Sequence, residues 1–105
     1  MPYVKIVVAV PLGHAEKIRQ VANAAGASRQ GNYDFASGSV RQVGRFRPLP
    51  GAKPAIGTIG QIESVEEERI EFLCDKKIYK KVVTAIKKAH PYEQPAIEVY
   101  PLLYP

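Results

Sequence analysis

The sequence predicts an α+β domain in which a four-stranded antiparallel sheet carries two helices on one face, in the chain order βαββαβ. Two observations predict it. Strand-like apolar runs occur at both ends and in the middle of the chain, and two stretches of helical spacing lie between them. Proline and glycine cluster where these runs meet. Two βαβ-like halves around a central hairpin give the split arrangement of ferredoxin-like folds, with both helices against one sheet face.

The elements follow in order. Tyr3–Val10 is rich in β-branched residues and reads as a buried strand. Pro11-Leu12-Gly13 ends it. From His14 the period changes: Ala15, Ile18, Val21, Ala22 and Ala25 recur at helical spacing, while Glu16, Lys17, Arg19, Gln20 and Asn23 face water. Gly26 has the position of a C′ glycine. Residues 28–32 form a turn, and Tyr33 to about Arg47 reads as an interrupted strand, bent at Gly38 and Gly44. Residues 48–60 hold three glycines and three prolines and form a loop. Ile62–Cys74 resumes strand character, with Ile70, Phe72 and Cys74 on one face. Asp75 is the expected N-cap of the next helix, whose stripe is Ile78, Val82, Val83, Ile86 and Ala89. Ala96–Leu103 is the last strand. The sheet face away from the helices needs a cover. Tyr3, Ile70 or its neighbours, and alternate residues of the last strand are expected to make it apolar and suited to burial between subunits.

The 105 residues fit one domain, 1–105, and 46% hydrophobic content suffices for one core. No run of 18 apolar residues exists, and the apolar start lacks a basic flank and a cleavage site, so neither a membrane span nor a signal peptide is expected. A single cysteine, Cys74, excludes an internal disulfide framework and favours a cytoplasmic location. Cys74 is expected in the core, in phase with Ile70 and Phe72. The net charge of +5 invites a nucleic-acid reading. Its distribution argues against one: six lysines between Lys76 and Lys88 lie on one helical segment, and five glutamates between Glu63 and Glu71 lie just before it. Tyr3, Tyr33, Tyr92, Tyr100 and Tyr104 sit near strand ends and corners, which suits packing or interfaces more than base stacking.

Two places can carry chemistry. The first is the corner His90-Pro91-Tyr92-Glu93-Gln94-Pro95. Pro91 stops the helix and Pro95 holds Gln94 extended. His90 and Glu93, three positions apart, are candidate ligands for a divalent ion, with His14 as a third donor if tertiary structure brings it near. The bland alternative is that His90 serves the helix C-terminus and that Tyr92 and Glu93 fix the corner. The second place runs from Arg41 to Gly60. Arg45 and Arg47 offer forked donors for an anion, and Gly57 and Gly60 allow close backbone approach. Its bland alternative is a proline-stiffened hairpin that packs between subunits, with its arginines bridging to the acidic Glu63–Glu71 strand. The chain has no phosphate-loop motif.

Several motifs together carry a family resemblance. His90-Pro91-Tyr92-Glu93-x-Pro95 resembles a signature of the CutA divalent-ion-tolerance proteins, relatives of the PII signalling proteins. Val10-Pro11, Ala25-Gly26-Ala27, Gly31-Asn32-Tyr33-Asp34, Gly44-x-Phe46-Arg47-Pro48, Pro54-x-Ile56-Gly57-x-x-Gly60 and Glu63-x-Val65-x-Glu67 extend the match over almost the whole chain. In this set the chain is similar to the PII/CutA-like domain inserted in the YqfO type of NGG1-interacting-factor-like proteins, which also occurs as a stand-alone protein. Gln94 departs from the acidic residue many relatives show.

The resemblance implies a homo-oligomer, most simply a trimer, and a non-enzymatic regulatory module that binds a small ligand, a metal ion or a protein partner. Its clefts are expected between subunits, with Arg45, Arg47, Gly57 and Gly60 of one facing Tyr92 and the His90–Glu93 corner of a neighbour. By analogy the Arg41–Gly60 stretch matches the long PII loop that engages nucleotides and partners. A divalent ion is the candidate cofactor. The alternatives are a CutA-type ion-tolerance protein or an accessory subunit of a separately encoded metal-dependent hydrolase. The dinuclear metal site of the longer relatives lies in domains flanking the insert, and two histidines cannot reproduce it here.

Overall fold

The computed structural model describes residues 2–103; the expectation for Tyr104 lies outside them. Five β-branched or apolar residues in a row start the sheet: Tyr3–Pro11 is strand β1. A 3-10 turn, Leu12–His14, leads into helix α1, Ala15–Ala24. Strands β2, Gly38–Phe46, and β3, Glu63–Asp75, form a long ribbon. Helix α2, Tyr79–Ala89, and strand β4, Ile97–Pro101, complete the chain. The sheet order is β2-β3-β1-β4 with every pair antiparallel. This is the βαββαβ arrangement expected.

The period of two along β1 decides which face meets the helices. Val4, Ile6, Val8 and Val10 turn to the helix side and pack with Ile70, Phe72 and Cys74 of β3 and with Ile18, Ala22, Val82 and Ile86 of the helices. Burying each large side chain of this group contributes about 1.5–3 kcal/mol. The Cys74 thiol is buried here, and desolvation, with the Asp75 charge second, pushes its pKa up to about 11.

Gly26 ends α1 as expected. Its φ of 110° is left-handed, Ala27 N–H donates to the Ala22 carbonyl and Gly26 N–H to that of Asn23, which together form a Schellman motif. Three details differ from expectation. Asp75 caps a turn rather than the helix: its Oδ1 accepts from Lys77 N–H at 2.8 Å, and α2 begins only at Tyr79. Strand β2 starts at Gly38, not Tyr33. Tyr33 pairs with Gln30 across a tight turn, Phe35 has φ 54°, and Phe35 N–H donates to the Asn23 side chain, so this backbone has no edge to offer the sheet. Finally, the face away from the helices is mixed rather than apolar. Ile70 is fully buried on the helix side, and Ile97 and Val99 pack there too. Lys5, Glu67, Arg69, Glu71 and Glu98 alternate onto the other face beside Val7, Ala9, Val40 and Tyr100.

Strand β1 pairs with β3 only from Glu67 onward, whereas β2 pairs with β3 from Glu63 to Glu71. The far end of the β2–β3 ribbon therefore runs past β1. Its long connection, residues 47–62, and the corner after α2 meet on the face that the helices leave uncovered.

Candidate functional site

A cleft of about 620 Å³ opens where the β2–β3 connection meets the corner after α2. Ala9, Gln42, Gly44 and Glu67 of the sheet line it, with Phe46 and Arg47 at the end of β2. Pro48, Leu49, Pro54 and Ile56 of the connection and Tyr92, Glu93 and Gln94 of the corner complete it. The size is within the range of small-ligand sites.

Glu67 is the polar centre of this cleft. It is only 5% exposed. One carboxylate oxygen accepts from Gln42 Nε2 at 3.0 Å and the other from the Tyr92 hydroxyl at 3.0 Å. Gly44 makes room for it: a Cβ at that position would collide with the Glu67 carboxylate. Burial, and then the bond to Glu67, hold the Tyr92 phenol well above its ordinary pKa, so it remains a donor. The Tyr92 ring meets Phe46 edge-on at 5.8 Å and leans on His90 at 5.1 Å.

His90 locks the corner to the sheet. Its Nε2 lies 2.7 Å from the Ala9 carbonyl oxygen, and its Nδ1 lies 3.1 Å from Tyr92 N–H. A carbonyl only accepts and an amide N–H only donates, so the proton sits on Nε2 and Nδ1 is the acceptor. Desolvation lowers the His90 pKa, against the Ala9 bond and the Glu67 charge, which raise it; the His14 charge lowers it further. The imidazole is therefore neutral, and both nitrogens are engaged.

The expected site residues fall into three groups. Arg45, Arg47, Tyr92 and Glu93 border one cleft of the single chain. Glu93 Oε1 accepts from Lys53 N–H at 3.0 Å and so ties the connection to the corner. Gly57 and Gly60 lie outside the lining, where their φ values of 101° and 82° turn the chain back and Gly60 N–H donates to the Pro48 carbonyl. His14 is exposed at the end of the 3-10 turn. His14, His90 and Glu93 do not assemble: among the described residues no group of three His, Cys, Asp or Glu side chains is placed to hold a metal ion. The arginines do not bridge to the acidic strand as expected. Among the described residues the ion pairs are Arg19 with Glu16 and Glu68, and Arg69 with Glu98.

Glu67, Gln42 and Phe46 are functional candidates that residue-by-residue reasoning passed over. Period two from the buried Leu73 places Arg69 and Glu67 on the uncovered face. The burial of Glu67 depends on Gly44 across the ribbon and on Tyr92 from 25 residues away, which no local pattern reveals.

A Bacillus subtilis protein named GTP cyclohydrolase 1 type 2 homolog is 41% identical over 101 residues, covering 96% of this chain. A crystal structure of a Bacillus cereus protein related to NIF3 superposes with a TM-score of 0.85 at 41% identity, covering 98% of this chain. The chain is a PII/CutA-like domain of the NIF3-related, YqfO type. The domain spans about a quarter of the length of these relatives, 27% and 26%. No protein-family model matches it. The Archaeoglobus fulgidus periplasmic divalent cation tolerance protein CutA shares the fold of the domain, with a TM-score of 0.71 at 18% identity over 98% of this chain and 86% of that one. No helix among the described residues is long and apolar enough to cross a membrane.

Proposed function

We propose that the domain is a non-enzymatic, oligomeric ligand-binding module with a regulatory role, and that its ligand is a small anionic molecule bound in the cleft above Glu67. The observation that carries this reading is the convergence of Phe46, Arg47, Tyr92 and Glu93 around one opening of about 620 Å³. Arginine at the border suits an anion. A homotrimer is the assembly proposed. Its support is the shared fold with CutA and the exposed apolar side chains Val40, Val43, Leu49, Ile59 and Ile62, which concentrate on the β2–β3 ribbon and its connection. A cytoplasmic location accompanies the proposal and rests on the single thiol.

A second reading takes the domain as an accessory to metal-dependent hydrolase domains. The name GTP cyclohydrolase 1 type 2 homolog, borne by relatives about four times as long, favours it. A divalent-ion role has the names of the CutA neighbours behind it. It has the geometry of His90 against it, since coordination would require breaking the contact to Ala9 or to Tyr92 N–H.

Thermal unfolding of metal-stripped protein with nucleotides, phosphate, small organic anions and divalent ions tests the reading. A ligand binding only the folded state at 100 times its Kd adds about 2.7 kcal/mol. An anion-dependent rise in Tm that Arg47→Ala removes is the expected result. Light scattering should give three times the chain mass. No response to any anion, or a response indifferent to Arg47→Ala, overturns the ligand reading; a strict monomer overturns the assembly.

A further inference from the structure

Glu67 has an electrostatic deficit that its neighbours do not relieve. It is buried, yet among the described residues it pairs with no cation. Its hydrogen bonds come from two neutral groups, the Gln42 amide and the Tyr92 phenol. A carboxylate withdrawn from water is ordinarily offset by a cation. The adjacent acid follows that rule: Glu68 holds Arg19 at 2.8 Å. Glu67 differs in bordering an open cleft rather than a sealed core. Each carboxylate oxygen has two lone pairs and each accepts one bond from the protein, so a second acceptor site remains on both.

We infer that the cleft takes a small planar ligand whose paired N–H donors, of the guanidinium or guanine type, face Glu67 and whose anionic tail lies toward Arg45 and Arg47. The inference rests on the reading of the cleft as a ligand site and names its chemistry. A planar pair of N–H groups matches the two oxygens of one carboxylate. The Phe46 and Tyr92 rings supply apolar surface for a flat body. Arg45 and Arg47 border the same cleft, and neither forms an ion pair among the described residues. They are free to meet a carboxylate or phosphate. An adenine edge, with an acceptor nitrogen beside its amino group, would set a lone pair against the carboxylate.

Calorimetric titration of the protein with L-arginine, agmatine, guanosine monophosphate and adenosine monophosphate tests this. Binding of guanosine monophosphate at least about tenfold tighter than adenosine monophosphate identifies a nucleobase source; binding of L-arginine without the nucleotide identifies an amino-acid source. In either case Glu67→Gln should weaken binding by about ten- to a hundredfold, the range for a bond to a charged group. Arg47→Ala should weaken L-arginine or guanosine monophosphate but not agmatine, which has no anionic tail. Circular dichroism establishes that Glu67→Gln is folded; if it is not, the guanine-to-adenine ratio on the wild type and the agmatine comparison decide. Equal binding of both nucleotides that depends on Arg47 but not Glu67 overturns the inference and leaves the cleft as a ligand site. Absence of binding by all four probes overturns the inference, while an Arg47-dependent response to another anion would still support the ligand site.

Discussion

Replacing Tyr92 by Phe removes one oxygen and leaves every ring contact in place. The lost interaction is the 3.0 Å bond from the phenol to Glu67, whose acceptor is a carboxylate 5% exposed to water. A hydrogen bond to a charged group contributes about 1.5–3 kcal/mol net. Its loss leaves Glu67 with Gln42 as its one remaining donor among the described residues, while the edge contact to Phe46 at 5.8 Å survives. The expected destabilisation is therefore about 1.5–3 kcal/mol, or a fall in Tm of about 6–24 °C for a domain near 100 residues. Urea unfolding at pH 7 measures it. A double-mutant cycle with Glu67→Gln separates the charged bond from the ring: Tyr92→Phe should cost at least about 0.5 kcal/mol less when position 67 carries no charge. A loss below about 0.5 kcal/mol, or the same loss in both backgrounds, would show that the phenol and carboxylate are not coupled as described.

Two further predictions follow from the same structure. The folded-state pKa of His90 lies below its ordinary 6.5, chiefly through desolvation, so unfolding takes up a proton between the two values. The stability held by the neutral imidazole is complete above pH 6.5 and is lost as pH falls toward the folded pKa; denaturant unfolding across that interval should show this slope, and His90→Gln should flatten it. Gly26→Ala places a Cβ at φ 110° and 2.8 Å from the Ile78 Cδ1, so it should destabilise by more than about 1 kcal/mol, with Ala24→Gly as a control that changes helix propensity without the clash.

The strand and helix order was legible because each element carries its own period. Val4, Ile6, Val8 and Val10 announce a face at spacing two; Ile18, Ala22, Val82 and Ile86 announce two helix stripes. Gly26 was legible for a local reason, since a C′ residue needs a left-handed φ. The start of β2 was not. Tyr33 and Phe35 have strand-like side chains, but Asn23 of α1 takes the Phe35 N–H from across the turn. A side chain ten or more residues away thus overrode local propensity.

The candidate site divides along the same line. Residue chemistry by itself marked the two segments, since a proline-bounded corner and an arginine- and glycine-rich connection each stand out in the chain. Their meeting in one cleft was decided by the tertiary structure. The ribbon of β2 and β3 overshoots β1, and His90 fastens the corner to Ala9 beside it, which brings Arg47 and Tyr92 to the same opening. The same closure buries Glu67 and denies His90 a free nitrogen. Burial and hydrogen-bond occupancy are properties of neighbours in space, and for Glu67 those neighbours are each 25 residues away along the chain.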